Sequence, residues 1–199
     1  RKFILFSMAA IQCTSLTIGY GSTIIQHSLN LSLHEGEMVC MLGRNGCGKS
    51  TLLRTLAGLQ APLGGEYTIM NTPARAETMN SQIALVLTER LSVDNTTIHD
   101  VVAMGRYPYT SFLGGLSESD EEIIAQSLRD VGLYEQMHTF FNDHSDGEKQ
   151  RVLIAKALAQ QTPIIFLDEP TAHLDLPNRI HVLRLLHELA NQRGKTILI

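Results

Sequence analysis

The sequence has little that would tie it directly to a membrane, a metal or a polyanion. No apolar run in its 199 residues approaches the roughly 20 that a bilayer-spanning helix needs, so membrane association is expected to go through a partner protein. Arg1, Lys2, Phe3, Ile4, Leu5 and Phe6 mimic the start of a signal peptide, but Gln12 and Cys13 soon interrupt the apolar part. Residues 1–9 therefore read as a leader or as cloning-derived sequence. The three cysteines, Cys13, Cys40 and Cys47, are an odd number without metal-ligand spacing, which fits a reducing cytosol. A net charge of −4 supplies no general attraction to nucleic acid. There are no repeats, no low-complexity linkers and no coiled-coil heptads. With 44% apolar and 18% charged residues, the chain reads as one sizeable domain, or one with a small appendage.

Against this plain background one stretch stands out: Gly43-Arg44-Asn45-Gly46-Cys47-Gly48-Lys49-Ser50-Thr51, of the form G-x-x-x-x-G-K-[ST]. Before it, Met38-Val39-Cys40-Met41-Leu42 reads as a buried strand; after it, Leu52, Leu53, Leu56 and Leu59 read as one helical face. Strand, glycine turn and helix in this order suit a loop that curls its amides around a polyphosphate, with Gly43, Asn45, Gly46, Cys47 and Gly48 forming the cradle. Lys49 would reach the β- and γ-phosphates, the Ser50 hydroxyl would hold Mg²⁺, and Thr51 would face the α/β region. Cys47 has two readings: a thiol whose reactivity is raised by the helix N-terminus, or a small residue tolerated in the turn.

Upstream, residues 10–18 and 29–33 look like half-exposed strands. Tyr20, between Gly19 and Gly21, offers either a flat surface for an adenine base or a turn aromatic packed on its own sheet. Residues 66–70 and 83–87 are further strands, the second followed by the polar Thr88, Glu89 and Arg90. From Thr97 to about 138 the pattern is helical, with Ser119-Asp120-Glu121-Glu122 read as a capping box and Ile123, Ile124, Leu128 and Val131 facing inward. Arg106-Tyr107-Pro108-Tyr109 reads as an exposed aromatic loop, either a docking surface or internal packing. Ser145, with Glu148 three residues on, is a second capping box, opening a buried helix over 152–159 and able to grip a phosphate.

Ile164-Ile165-Phe166-Leu167 is a strand buried on both faces that ends in Asp168 and Glu169. Beside a phosphate loop, Asp168 would hold Mg²⁺ through its water shell and Glu169 would orient and polarise the attacking water. A helix follows over 178–192 with Ile180, Leu183, Leu186 and Leu189 on one stripe, capped by Gly194, and a last strand begins at Thr196.

Together these motifs resemble an ATP-binding cassette ATPase: Tyr20 as the adenine-stacking aromatic, 43–51 as Walker A, 145–150 as the signature, 164–169 as Walker B and 172–175 as the D-loop. The resemblance implies an α/β fold of the P-loop NTPase type: a mixed or parallel sheet core, an antiparallel β subdomain, and a helical subdomain over about 97–160. The domain would span 10–199 and be incomplete at the C-terminus, since the family's switch histidine has no counterpart. Residues 101–108 and Phe112-Leu113-Gly114 resemble ATPase subunits of bacterial importers for iron–siderophore, haem and cobalamin. The family implies ATP and Mg²⁺ as ligands and a head-to-tail homodimer in which Ser145, Gly147 and Glu148 act on the partner's nucleotide. It also implies transmembrane permease subunits, an extracytoplasmic solute-binding protein reached indirectly, and a place on the inner face of the plasma membrane. Two departures qualify it. Thr88 and Glu89 stand where a glutamine is usual, with Glu89 a candidate Mg²⁺ ligand. His144-Ser145-Asp146-Gly147 replaces Leu-Ser-Gly-Gly, and Asp146 is expected to point away from the triphosphate. An ATP-binding module with weak or no hydrolysis is the alternative, and a non-transport cassette the third reading.

Overall fold

The computed structural model describes residues 9–74, 81–87, 93–110 and 115–199. An antiparallel sheet is formed by β1 (Ala9–Tyr20), β2 (Thr23–His34), β4 (Gly64–Ile69) and β5 (Thr72–Pro73) in the order β2-β1-β4-β5. A second, parallel sheet holds β3 (Met38–Val39), β8 (Thr196–Leu198), β7 (Ile164–Leu167) and β6 (Ile83–Val86), in that spatial order. Ile11 and Cys13 of β1 are buried, and then the inward positions change parity to Leu16 and Ile18. A bulge explains the change: the register with β2 shifts between Cys13 and Leu16, where Ser15 takes φ +47°.

The α-helices that matter here are α1 (Lys49–Leu56), α2 (Ile98–Ala103), α3 (Glu118–Asp130), α4 (Asp146–Ala159) and α5 (Leu176–Arg193). Strand β7 runs between two cores. Ile164 and Phe166 pack with β1 and Leu53 and Leu56 of α1, while Ile165 and Leu167 pack with α2, α3, α4 and α5. All four side chains are fully buried, as a continuous apolar run requires in a sheet covered on both faces.

Several local expectations are corrected by packing. The run 38–42 is not a buried strand: β3 covers only Met38–Val39, lies at the sheet edge, and leaves Leu42 94% exposed. Leu59 is off the helical face, because α1 stops at Leu56 and the chain turns through Gly58. The α3 capping box belongs to Ser117, which accepts from the Asp120 amide, and not to Ser119. In α5, Ile180 and Leu183 are exposed; the buried stripe is Val182, Leu185, Leu186, Leu189 and Ala190.

Arg106, read as part of an exposed loop, is buried, whereas Tyr107 and Tyr109 are exposed. Its Nε donates to Asp120 Oδ1 at 2.8 Å, and Nη1 donates to the Ala159 carbonyl at 2.8 Å and to Gln161 Oε1 at 3.0 Å. One guanidinium thus joins the segment after α2 to the start of α3 and the end of α4. The Ser117 hydroxyl and amide, and then Arg106, hold the Asp120 carboxyl down at about 2, below its ordinary 3.8. The folded value lies below the unfolded one, so this contribution to stability is complete above about pH 4 and is lost as the pH falls towards 2. In an acid titration followed by circular dichroism, Asp120→Asn is expected to flatten the loss in that window. The same variant should lower the thermal midpoint at neutral pH, because Arg106 is left buried without its carboxylate.

Candidate functional site

The glycine loop leaves the end of β3 and closes onto the first turn of α1. Gly46 at φ +80° and Gly48 at φ +103° curl the backbone, a conformation that side-chain-bearing residues rarely adopt. A Cβ on Gly48 would stand 2.7 Å from Ile25 Cγ2, so β2 presses directly on the loop. Gln26 braces it further, its Nε2 donating to the Cys47 carbonyl at 3.2 Å. The Cys47 amide donates to the Arg44 carbonyl at 3.2 Å, closing the turn. Lys49 reaches back across the loop: Nζ donates to the Gly43 carbonyl at 3.1 Å and to that of Arg44 at 3.3 Å.

The strand-end carboxylates meet this loop from β7. Ser50 Oγ donates to Asp168 Oδ1 at 2.9 Å, joining residues 118 positions apart. Asp168 is buried and its amide continues the ladder by donating to the Val86 carbonyl at 2.8 Å. Glu169 leaves the ladder at φ +47°, sparsely populated for such a residue, and its Oε1 lies 3.7 Å from Lys49 Nζ. The expected loop and carboxylate residues are therefore in one place. A hydroxyl and a carboxylate at hydrogen-bond distance are hard oxygen donors that suit Mg²⁺, which takes few protein ligands and completes its shell with phosphate and water. Glu89, the third proposed metal ligand, lies outside the described residues with Thr88 and Arg90, as do Phe112, Leu113, Gly114 and residues 1–8.

Tyr20 stands at the end of β1, 52% exposed, and accepts a hydrogen bond from Thr51 Oγ1 at 3.2 Å. Beside it a cleft of about 600 Å³ is walled by Leu59, Leu63 and Leu87.

The Ser145 box forms as read: Ser145 Oγ accepts from the Glu148 amide at 3.3 Å, and Glu148 Oε2 accepts from the Ser145 amide at 3.0 Å and hydroxyl at 2.8 Å. The Ser145 hydroxyl and amide hold the Glu148 carboxyl below its usual range, with His144 Nδ1 3.5 Å away as a further influence. Asp146 is exposed. Among the described residues no hydrogen bond joins Ser145, Gly147 or Glu148 to the glycine loop of the same chain. Gly147 is instead covered by Asn178, whose Oδ1 would be 2.6 Å from a Cβ there. Asn178 sits on the first turn of α5, capped by Asp175.

Gln26, Asn178 and Gln60, which donates to the Gly19 carbonyl behind Tyr20, escaped the sequence reading. All three act across distances that no local pattern reports.

A parallel sheet whose central strand delivers an Asp-Glu pair to a glycine loop at a helix N-terminus defines a P-loop nucleotide-binding protein. The ABC transporter family model matches residues 26–172. An uncharacterized ABC transporter ATP-binding protein of Methanocaldococcus jannaschii is 38% identical over 192 residues, 95% of this chain and 66% of that protein. The achromobactin transport ATP-binding protein of Dickeya dadantii is 40% identical over 200 residues, covering 96% and 72%. The iron(3+)-hydroxamate import ATP-binding protein of Bacillus subtilis is 35% identical over 199 residues, covering 96% and 72%. Among solved structures, an ABC transporter described as of metal-chelate type, in an inward-facing conformation, superposes with a TM-score of 0.86 at 31% identity, covering 96% of this chain and 72% of that one. The dimeric structure of a bacterial ABC transporter cassette gives 0.79 at 27% identity, covering 94% and 86%. The chain belongs to the ABC transporter family, as one of its ATP-binding cassettes. It spans 66% to 72% of the length of these relatives.

Proposed function

We propose that this chain binds ATP with Mg²⁺ and hydrolyses it to ADP and phosphate, powering the import of a metal chelate of the iron–siderophore, haem or cobalamin kind. The observation that carries the reading is the 2.9 Å bond between Ser50 and Asp168, which brings the phosphate loop and the strand-end acids into one site. Lys49 and the loop amides would bind the triphosphate, and the Ser50 hydroxyl and, through its water shell, Asp168 would hold Mg²⁺, whose positive charge would offset that of the phosphates. Glu169 takes a hydrogen bond from water and orients it on the γ-phosphorus.

Among the described residues the hydrogen bonds of Ser145 and Glu148 stay within their own capping box and none reaches the glycine loop, which favours their use on a second copy placed head to tail. The cassette solved as a dimer at 27% identity supports the pairing of two copies. No helix among the described residues is long and apolar enough to cross a membrane. The import roles named for the relatives support permease subunits as partners, with the cassette on their cytoplasmic face. The cargo class rests on the named import roles of the relatives and on the metal-chelate transporter structure.

Reconstitution with the permease and a chelate-loaded binding protein tests the whole reading: phosphate release and uptake of the metal chelate are expected to rise together. Phosphate release that is indifferent to iron–siderophore, haem and cobalamin alike and to the permease would overturn the import role.

Cys47 supplies a separate check. Its Sγ packs 2.7 Å from the position of a Cβ on Gly43, inside the curl of the loop. A maleimide there would fill the cradle. Cys40 is exposed and must be replaced by serine first, whereas burial shields Cys13 and pushes its thiol up to about 11. In that background maleimide is expected to abolish ATP binding, and prior saturation with ATP to protect.

A further inference from the structure

The ring of Tyr20 offers a platform for a base. We infer that its hydroxyl has a second role and, acting through Thr51, orients the hydroxyl that meets the phosphates, so that base platform and phosphate cradle respond as one unit. The inference rests on the nucleotide-binding function proposed for the same site.

Tyr20 and Thr51 lie on different elements, the end of β1 and the first turn of α1, and Thr51 Oγ1 donates to Tyr20 Oη at 3.2 Å. Neither partner is free to drift. Tyr20 pairs with Thr23 across the β1–β2 hairpin, and Gln60 fixes the Gly19 carbonyl just before it. Thr51 is buried, and its carbonyl accepts from Thr55 Oγ1 at 2.8 Å within α1.

Each hydroxyl has one proton and two acceptor lone pairs. While Thr51 gives its proton to Tyr20, its oxygen presents only lone pairs elsewhere. A phosphate oxygen accepts but cannot donate, so it needs that proton. Both hydroxyls then rotate: Thr51 donates to the phosphate, and Tyr20 donates to Thr51. No covalent bond changes and no proton is gained or lost. Hydrogen bonds chained in one direction polarise each other, which strengthens the contact with the anion. Tyr20 is thereby a positioning residue for the phosphates, even though only its ring faces the base.

The test is titration of wild type, Tyr20→Phe, Thr51→Val and the double variant with Mg²⁺–ATP and with Mg²⁺–tripolyphosphate. Tyr20→Phe keeps the ring and is expected to weaken both ligands by about 3- to 10-fold, the worth of one net hydrogen bond. Tripolyphosphate has no base, so its loss cannot come from stacking. In the Thr51→Val background, Tyr20→Phe is expected to change nothing further. Unchanged binding of tripolyphosphate by Tyr20→Phe, or the same loss with and without the Thr51 hydroxyl, would overturn the relay and leave the nucleotide reading standing. A wild type that takes up neither ligand would remove both.

Discussion

Lys49→Ala is expected to weaken Mg²⁺–ATP binding by about 100-fold, read by calorimetric titration. The ammonium is at the mouth of the loop, within hydrogen-bond reach of the Gly43 and Arg44 carbonyls and 3.7 Å from Glu169. It is thus already placed among the groups that the proposed triphosphate would approach. Two charge-assisted hydrogen bonds to phosphate oxygens, at about 1.5 kcal/mol or more each, amount to about 3 kcal/mol, or about two decades in affinity. Alanine also removes the two bonds that tie the loop to itself, so the thermal midpoint should be measured alongside. A variant that melts like the wild type and binds within threefold of it would show that the loop amides alone hold the ligand. Arginine is not expected to rescue, because its planar fork cannot act as the compact point charge this position requires.

For Glu169→Gln the expected result is a split: phosphate release falls by about 10²- to 10⁴-fold, and ATP affinity stays within a few-fold of wild type. The substitution keeps size and shape but exchanges a carboxylate acceptor for a neutral amide. The backbone at φ +47°, held by the Ala172 amide donating to the Glu169 carbonyl at 2.9 Å, makes no use of the side chain. Loss of a negative charge facing a triphosphate cannot weaken binding electrostatically, and it also frees Lys49 of an acidic neighbour 3.7 Å away. Single-turnover phosphate release in the assembled transporter, together with the nucleotide retained after gel filtration, separates the two effects. Equal turnover in wild type and variant would assign the water-orienting role elsewhere.

The parts of the site that could be read in advance share one property: their geometry is local. A glycine loop running into a helix, a serine followed three residues later by a glutamate, and an apolar run ending in two acids each specify their own backbone within about ten residues. The glycines at 46 and 48 do adopt positive φ, and Ser145 does cap α4. What could not be read was which side of each element meets another. The α5 stripe was misplaced because a helix rich in leucine offers two apolar faces, and only packing against β8 and the other helices selects Val182, Leu185 and Leu189 over Ile180 and Leu183. Arg106 looked like a surface residue among tyrosines. Its burial depends on a carboxylate and two acceptors brought from positions 120, 159 and 161.

From its residues alone this chain is legible as a phosphate-gripping cassette, because the amides, the ammonium and the acids that such a grip needs are encoded in short motifs with their own turn and cap chemistry. The tertiary structure decided their meeting. Ser50 touches Asp168 across 118 residues, Gln26 supports Cys47 from another sheet, and Thr51 holds Tyr20. The first follows from β7 lying between β6 and β8 in the parallel sheet, the other two from the packing of β1 and β2 against α1 and its loop, and such long-range register arises from the whole chain, not from any one segment.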